Sequence, residues 1–289
     1  MTVRFHRIAV VDWSASSTPT TGPDSIWIGA LDTSSGKVDL TNPRTRAEAG
    51  AQLKDLCDGP GATLLGVDFS LGYPAGTAAA LGLVGQPVGA MWSHLAELVD
   101  DDERNRNNRW RVATELNRAI GAPQFWGAPI THAGPWLPTT RPAAPPLAQW
   151  RETERVLRAR GSRPFPVWQL LGVGSVGSQS LTGIPMLHGL RRRLPEGAVR
   201  VWPFDTGLTD DPLEGFHKEV SQTVVAEVWP SSIDSRHVDH TVKDARQVIA
   251  MTHHLRAQLD SGTPLFASPA ARAAGQQVLD EEGWVLGVM

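Results

Sequence analysis

The strongest constraint on the fold of this chain is the order of the apolar segments near its N-terminus. Three β-rich segments come first, at 7–15, 25–33 and 37–42, and turn residues separate them. A segment with apolar residues at helical spacing follows at 46–59, and TLLGVDFS at 63–70 indicates a fourth strand. The order β-β-β-α-β predicts an antiparallel meander whose first strand lies beside, and parallel to, the fourth.

The rest of the chain predicts a long interruption and then a return to the sheet. The stretch from about 74 to 195 is rich in Pro, Gly and Trp, and we interpret it as a large helical insertion. Its helical stretches lie at 91–101, 105–120, 147–160 and 178–193. Strands are predicted at 199–204 and 223–230, and a helix with an early acid at 242–262. The helix-like segment at 268–282 is expected to be a modest C-terminal addition.

Composition and charge narrow the function classes. With 41% hydrophobic and 20% charged residues, the chain can bury a sizeable core, and we expect a single α/β domain over 1–289. The net charge of −3 argues against binding of long nucleic acids, because proteins that bind them neutralise many phosphates with a basic face. Basic stretches at 103–111 and 191–193 leave a small phosphorylated ligand or a short nucleic acid as the expected partner.

Cysteine usage and hydropathy bear on the compartment. Cys57 is the only cysteine, so no intramolecular disulfide can form, and the N-terminal residues lack the pattern of a signal peptide. No apolar run approaches the roughly 18–20 residues that span a bilayer. These features predict a cytoplasmic protein that does not enter the membrane.

Four carboxylates are the candidate active-site residues. Asp12 lies near the end of the first strand, Asp68 near the end of the fourth, Glu227 within a later strand, and Asp244 opens the late helix. Two carboxylates ~4 Å apart repel by about 4 kcal/mol at an effective dielectric near 20, so such a cluster takes protons or binds a cation. Mg²⁺ or Mn²⁺ is the expected cation, and phosphoester hydrolysis the expected chemistry. The alternative is that these aspartates only cap nearby backbone groups.

Short motifs across the chain carry a resemblance to a known family. The segments VDWSA, VDFSLGYP, AEVWPS and KDARQV resemble the domain-of-unknown-function family numbered 429. That family looks like a distant relative of the RuvC and YqgF nucleases, so the resemblance implies a ribonuclease H-like mixed sheet. Its acids on the first strand, the fourth strand and a late helix match Asp12, Asp68 and Asp244. Position 241, where the related pattern has His, is Thr here, which leaves open whether Asp244 or Glu227 completes the site.

Two further stretches are similar to a bacterial subgroup that is often labelled as molybdopterin-guanine dinucleotide synthesis proteins. They are VWQLLGVGSVGSQSLTGIP at 167–185 and VWPFDTG at 201–207. The string GVGSVG also matches the glycine spacing of a dinucleotide-binding turn, but a tight loop has the same composition. The helix that follows offers N–H groups to a phosphate. The residues predicted to hold such a ligand are Arg109, Gly174, Ser175 and Gln179.

The leading hypothesis is a metal-dependent phosphoester hydrolase, whether nuclease, phosphodiesterase or phosphatase, acting on a nucleotide, a nucleotide-containing metabolite or a short oligonucleotide. The predicted metal ligands are Asp12, Asp68, Asp244 and Glu227, with Lys243 or Arg109 steadying the phosphate. One alternative is a non-catalytic protein that binds a nucleotide or a pterin cofactor. Another is an actin-like phosphotransferase, which would need a second copy of the β-β-β-α-β unit.

Overall fold

Six strands form one mixed sheet in the part of the chain that the computed structural model describes, residues 5–172, 174–216 and 221–289. The strands are β1 (Arg7–Asp12), β2 (Trp27–Asp32), β3 (Val38–Thr41), β4 (Ala62–Val67), β5 (Val199–Val201) and β6 (Gln222–Glu227). Their order across the sheet is β3-β2-β1-β4-β6-β5. The first three are antiparallel, whereas β4 pairs in parallel with both β1 and β6, and β5 pairs in parallel with β6. The predicted meander and the parallel pairing of the first and fourth strands are therefore confirmed.

Helices cover the sheet and occupy the connections. They are α1 (Arg46–Asp58), α2 (Thr77–Ala80), α3 (Pro87–Leu98), α4 (Arg109–Ile120), α5 (Glu152–Ala159), α6 (Val176–Arg193), α7 (Lys243–Asp260) and α8 (Pro269–Ala274), with a 3₁₀ turn at Pro230–Ser232 and a π-helical turn at Val278–Glu282. Helix α4 begins later than the sequence predicted because Asn105 has a positive φ of 65°, which is incompatible with a right-handed helix. The single helix expected at 268–282 is interrupted at Gly275, whose φ is 101°. None of the helices in the described ranges is both long enough and apolar enough to cross a membrane.

The two faces of the sheet bury two separate apolar clusters. In β1, Ala9 and Val11 enter one cluster while Ile8 and Val10 enter the other, as the two-residue period of a strand requires. Helices α1, α3 and α6 cover the first face, and α7 packs on β1 and β2 across the second. The stretch at 74–195 therefore supplies α6 to the core of the protein as well as peripheral helices.

The C-terminal segment was expected to be a modest addition, but it makes hydrogen bonds to the starts of two helices. The Glu281 carboxylate accepts hydrogen bonds from the backbone N–H groups of Gly76 and Ala78, at 2.7 and 2.6 Å, where α2 begins. The Glu282 carboxylate accepts from the N–H groups of Ala75 and Glu152, at 2.9 and 2.7 Å. Carboxylates are favoured at helix N-termini by the unbonded N–H groups there. One short turn thus holds the starts of α2 and α5.

The register of the sheet decides which carboxylates can meet. Val11 pairs with Val67, and Val67 pairs with Glu227, so these three side chains leave the sheet on the same face. Asp12 is one residue further along β1 and leaves on the opposite face. Asp68 follows β4 directly, and its N–H donates to the carbonyl of Val11 at 3.2 Å. The carboxyl ends of the parallel strands thus bring Asp12 and Asp68 together and separate Asp12 from Glu227.

Candidate functional site

A cleft of about 810 Å³ opens at the carboxyl ends of the parallel strands. Asp12 and Asp68 lie on its floor, where β1 and β4 end, and Asp244 reaches it from the first turn of α7. The start of α6 forms another wall and contributes Ser175 and Gln179. Clefts at this edge of an open α/β sheet are common ligand sites, because several loops and helix starts converge there.

The carboxyl groups of Asp12 and Asp68 form a coupled pair. Burial raises the pKa of Asp68 to about 6, although hydrogen bonds from Asp12 and from the backbone N–H of Trp13, at 2.8 Å, favour its ionised form. Burial also raises the pKa of Asp12 well above its ordinary range, and the charges of Asp68, Asp244 and Asp24 raise it further. Near neutral pH the pair therefore retains a proton, with protonated Asp12 donating to Asp68.

Asp244 is the third acid of the cluster, and a loop residue holds it in place. The backbone N–H of Asp24 donates to Oδ2 of Asp244 at 2.8 Å. Asp24 has a positive φ of 57° and lies in the loop between β1 and β2, so its own carboxylate adds to the negative charge around Asp12. Sequence reasoning missed Asp24, although the β1–β2 connection must start at the same sheet edge as Asp12.

The donor set suits a hard divalent cation. Mg²⁺ and Mn²⁺ prefer carboxylate oxygens, and Mg²⁺ keeps several waters in its coordination shell. No set of three or more His, Cys, Asp or Glu side chains within the described ranges is close enough to chelate a metal directly as it stands. Asp12 and Asp68 are the residues that would hold such a cation, and Asp244 would lie beside them. Burial is the main cause of the raised pKa of both carboxyl groups, and the charge of Asp244 also raises both.

Glu227, which the sequence placed among the metal ligands, also lines the cleft, but its carboxylate is paired with an arginine. Nη1 and Nη2 of Arg151 donate to its two carboxylate oxygens at 2.7 and 2.6 Å, and Arg151 also pairs with Glu154. All three side chains are buried. A buried carboxylate in a two-point ion pair would leave the arginine uncompensated if it turned to a cation instead. Glu227 therefore stabilises the wall beneath the cleft.

Lys243, predicted to steady a phosphate, is exposed and does not line the cleft. It is the first residue of α7, and Asp244 directly after it does reach the cleft. Neighbouring residues on a helix project about 100° apart, so both cannot face the same site. Because α7 begins at Lys243, Asp244 is the residue that faces the cleft.

The glycine-rich string before α6 serves packing. A Cβ atom on Gly177 would lie 2.4 Å from the carbonyl oxygen of Val167, so the helix approaches the preceding segment too closely for any side chain. A Cβ atom on Gly174 would lie 2.2 Å from the ring of Phe165. No strand of the described ranges leads directly into α6, as a dinucleotide-binding turn requires. Val173 lies outside the described residues.

Gln179 and Arg109 occupy neighbouring parts of the α6 wall. The Nε2 group of Gln179 donates to the carbonyl of Trp13 and lies 3.5 Å from Oδ2 of Asp68. Arg109 is buried, and its Nε group donates to Oγ of Ser178 at 3.1 Å. Gln179 thus orients the acid pair, whereas Arg109 belongs to a different part of the cleft.

Comparisons with known proteins add no relative. No protein-family model matches the chain, and neither the curated proteins nor the solved structures include one with significant similarity to it. Any functional conclusion therefore depends on the geometry of the cleft.

Proposed function

We propose that this protein is a divalent-metal-dependent phosphoester hydrolase whose reacting centre is the cluster of Asp12, Asp68 and Asp244. The observation that carries the proposal is the coupled pair of half-buried carboxylates at the ends of two adjacent parallel strands. Such a pair is costly to the fold, because burial and mutual repulsion both oppose ionisation. A pair of carboxylates that lowers the stability of the fold and lines a large cleft is typical of a functional site.

The side chains of the cluster have separable tasks in this proposal. Asp12 and Asp68 would hold the cation, and Asp244 would add a third negative charge beside it. The cation, when bound, would neutralise charge on a phosphate and lower the pKa of a coordinated water. Gln179 and the N–H group of Trp13 fix the orientation of Asp68, and the N–H group of Asp24 fixes that of Asp244. Asp68 and Asp244 therefore already have a fixed orientation before a substrate binds.

The strand arrangement supports the fold that we propose for this function. Three antiparallel strands followed by a fourth strand parallel to the first, with an acid at the end of each of these two, agree with a ribonuclease H-like sheet carrying a helical insertion at 74–195. The actin-like alternative requires two β-β-β-α-β units. The structure contains one such unit through the residues that it describes, so we do not adopt that alternative.

The test of the proposal is calorimetric titration of Mn²⁺ into the metal-free protein at pH 8. Wild type is expected to bind, and both Asp12→Asn and Asp68→Asn are expected to lose binding, because each replaces a negatively charged carboxylate by a neutral amide. The matched control is Asp39→Asn, which changes an exposed aspartate of the same sheet that forms an ion pair with Lys37. Binding by wild type justifies a screen of nucleotide phosphoesters for turnover. If wild type binds no Mn²⁺ even with a nucleotide present, the hydrolase proposal fails and metal-free ligand binding replaces it.

A further inference from the structure

Arg109 differs from the other buried arginines of this protein. Three arginines are buried in the described ranges, and Arg46 and Arg151 both pair with carboxylates. Arg109 is only 9% exposed, yet all its hydrogen-bond partners are neutral. The charge of Asp101 acts on Arg109, but both oxygens of Asp101 accept hydrogen bonds from Arg46, at 2.5 and 2.6 Å. A buried cation without a countercharge is costly and marks a position where an anion would be stabilised.

The free part of the Arg109 guanidinium belongs to the cleft. Its Nε group donates to Ser178, and its Nη1 group donates to Ser17 and Asn107 at 2.9 and 2.7 Å. The Nη2 group has no hydrogen-bond partner within the described ranges, and Arg109 lines the cleft. The guanidinium also stacks 4.3 Å above the ring centre of Trp110, which fixes its plane. A fixed guanidinium with one free edge is suited to a phosphate.

The arginine is separate from the acid cluster. Burial and the nearby Arg46 lower the pKa of Arg109 to about 10, and the acids of the cluster do not offset this. The two sites are nevertheless neighbours, because Ser178 contacts Arg109 and the next residue, Gln179, contacts Asp68. Arg109 and the acid pair also line the same cleft of about 810 Å³, so a ligand that fills the cleft can contact both.

The wall between the two sites is suited to a nucleotide. The first turn of α6 lies in the same wall, and its dipole favours an anion, although the N–H groups of Ser175 and Gly177 already donate to the carbonyls of Gly172 and Gln169 at 3.2 and 3.0 Å. Phe165 and Leu171 also line the cleft and are 39% and 50% exposed. They are two of the four large apolar side chains that are exposed in the described ranges. An aromatic base covers such a surface well.

We infer that Arg109, beside the first turn of α6, forms a second anion subsite, and that the substrate is a nucleotide with a phosphate group remote from the one that reacts at the acid cluster. The identity of the reacting group rests on the proposed function, whereas the subsite itself does not. The base lies against Phe165 and Leu171, and the remote phosphate lies on the Nη2 edge of Arg109. Substrates with a single phosphate leave the arginine uncompensated and bind less tightly.

The test uses inorganic phosphate as the probe and the full-length, metal-free protein, so that the acid cluster plays no part. Binding is followed by ¹H–¹⁵N spectra in wild type, Arg109→Gln and Arg111→Gln. Arg111 lies two residues further along α4, is exposed and pairs with Asp100 and Glu115, so its variant is a control for the loss of one charge. We expect Arg109→Gln to weaken phosphate binding at least about tenfold and Arg111→Gln to leave it within about twofold.

Two results would overturn the inference. One is a folded Arg109→Gln protein, judged by circular dichroism, that binds phosphate as wild type does. The other needs no variant: phosphate shifts the signals of wild type elsewhere, for example near Arg191–Arg193, and leaves the Nε–H signal of Arg109 and the amides of 175–178 unchanged. The outcome is independent of the Mn²⁺ titration. Phosphate binding without Mn²⁺ binding would retain the subsite and reject the hydrolase, and the reverse result would reject the subsite alone.

Discussion

Replacing Asp68 with Asn is expected to stabilise the metal-free protein at pH 8. The pKa of this carboxyl is about 6 in the folded protein, against an ordinary value of 3.8. The difference of about 2 pH units corresponds to roughly 3 kcal/mol by which ionisation opposes folding. Because solvent in the cleft partly screens the charge, we expect about 1–2 kcal/mol, or an increase of about 2–3 °C in the unfolding temperature.

The dependence on pH gives this prediction its sign. Because folding raises the pKa of this carboxyl, the folded protein holds the proton more tightly than the unfolded chain does. Below the ordinary pKa of 3.8 the carboxyl is protonated in both states and does not lower the free energy of unfolding. The cost grows as the pH rises through about 6 and is then constant. The benefit of Asp68→Asn should therefore be present at pH 8 and nearly absent at pH 4. Urea unfolding in the presence of a chelator, at both pH values, measures it.

The matched control is Asp101→Asn, which makes the same chemical change at a carboxylate with the opposite role. Asp101 neutralises the buried Arg46 through two hydrogen bonds, so its replacement is expected to destabilise by several kcal/mol at pH 8. The reasoning about the acid pair is refuted if Asp68→Asn destabilises the metal-free protein at pH 8 in the same direction as the control.

Three further predictions follow from the packing and from the site. Glu227→Gln is expected to destabilise by about 3–5 kcal/mol, because it leaves Arg151 buried with one countercharge fewer; urea unfolding tests this, and a loss under 1 kcal/mol would contradict the role of the ion pair. In α6, Gly183→Ala is expected to cost about 1–3 kcal/mol because its Cβ would lie 2.3 Å from the Phe69 ring, whereas Gly189→Ala, with open space around it, should stabilise by up to about 1 kcal/mol; equal effects in thermal unfolding would reject the packing argument. Saturating Mn²⁺ at pH 8 should raise the unfolding temperature of wild type, and a chelator should reverse the rise, since a ligand that binds only the folded state stabilises it; a calorimetric scan without any shift would count against the metal site.

The sequence was sufficient to predict the sheet and the meeting of two acids, because both depend on local patterns. The order of apolar segments implies that β1 and β4 are parallel neighbours, and the position of Asp12 and Asp68 at their ends then follows. Glu227 could not be placed in this way. Its face depends on its register with Val67, and a shift by one residue would have put it on the other face.

Contacts between distant segments explain the other differences. Arg151 lies 76 positions before Glu227, and nothing in the local sequence around either residue indicates that they pair. The orientation of Lys243 depends on where α7 starts, and helix starts are difficult to predict to a single residue. The sequence equally gives no sign that Arg109 lacks a carboxylate hydrogen-bond partner among the described residues, since an acidic stretch lies only a few residues before it.

The position of Glu281 and Glu282 has a consequence for folding during synthesis. The chain emerges from the ribosome with its N-terminus first. Strands β1 to β4 and the start of α2 therefore emerge long before Glu281 and Glu282, whose carboxylates accept hydrogen bonds from the starts of α2 and α5. Until then the buried Arg151 lacks the carbonyl of Glu282 that accepts its hydrogen bond at 2.9 Å. Nascent chains arrested just before Glu281 should therefore remain protease-sensitive around 75–78 and 151–154, and chains extended beyond the ribosome exit should become resistant there together.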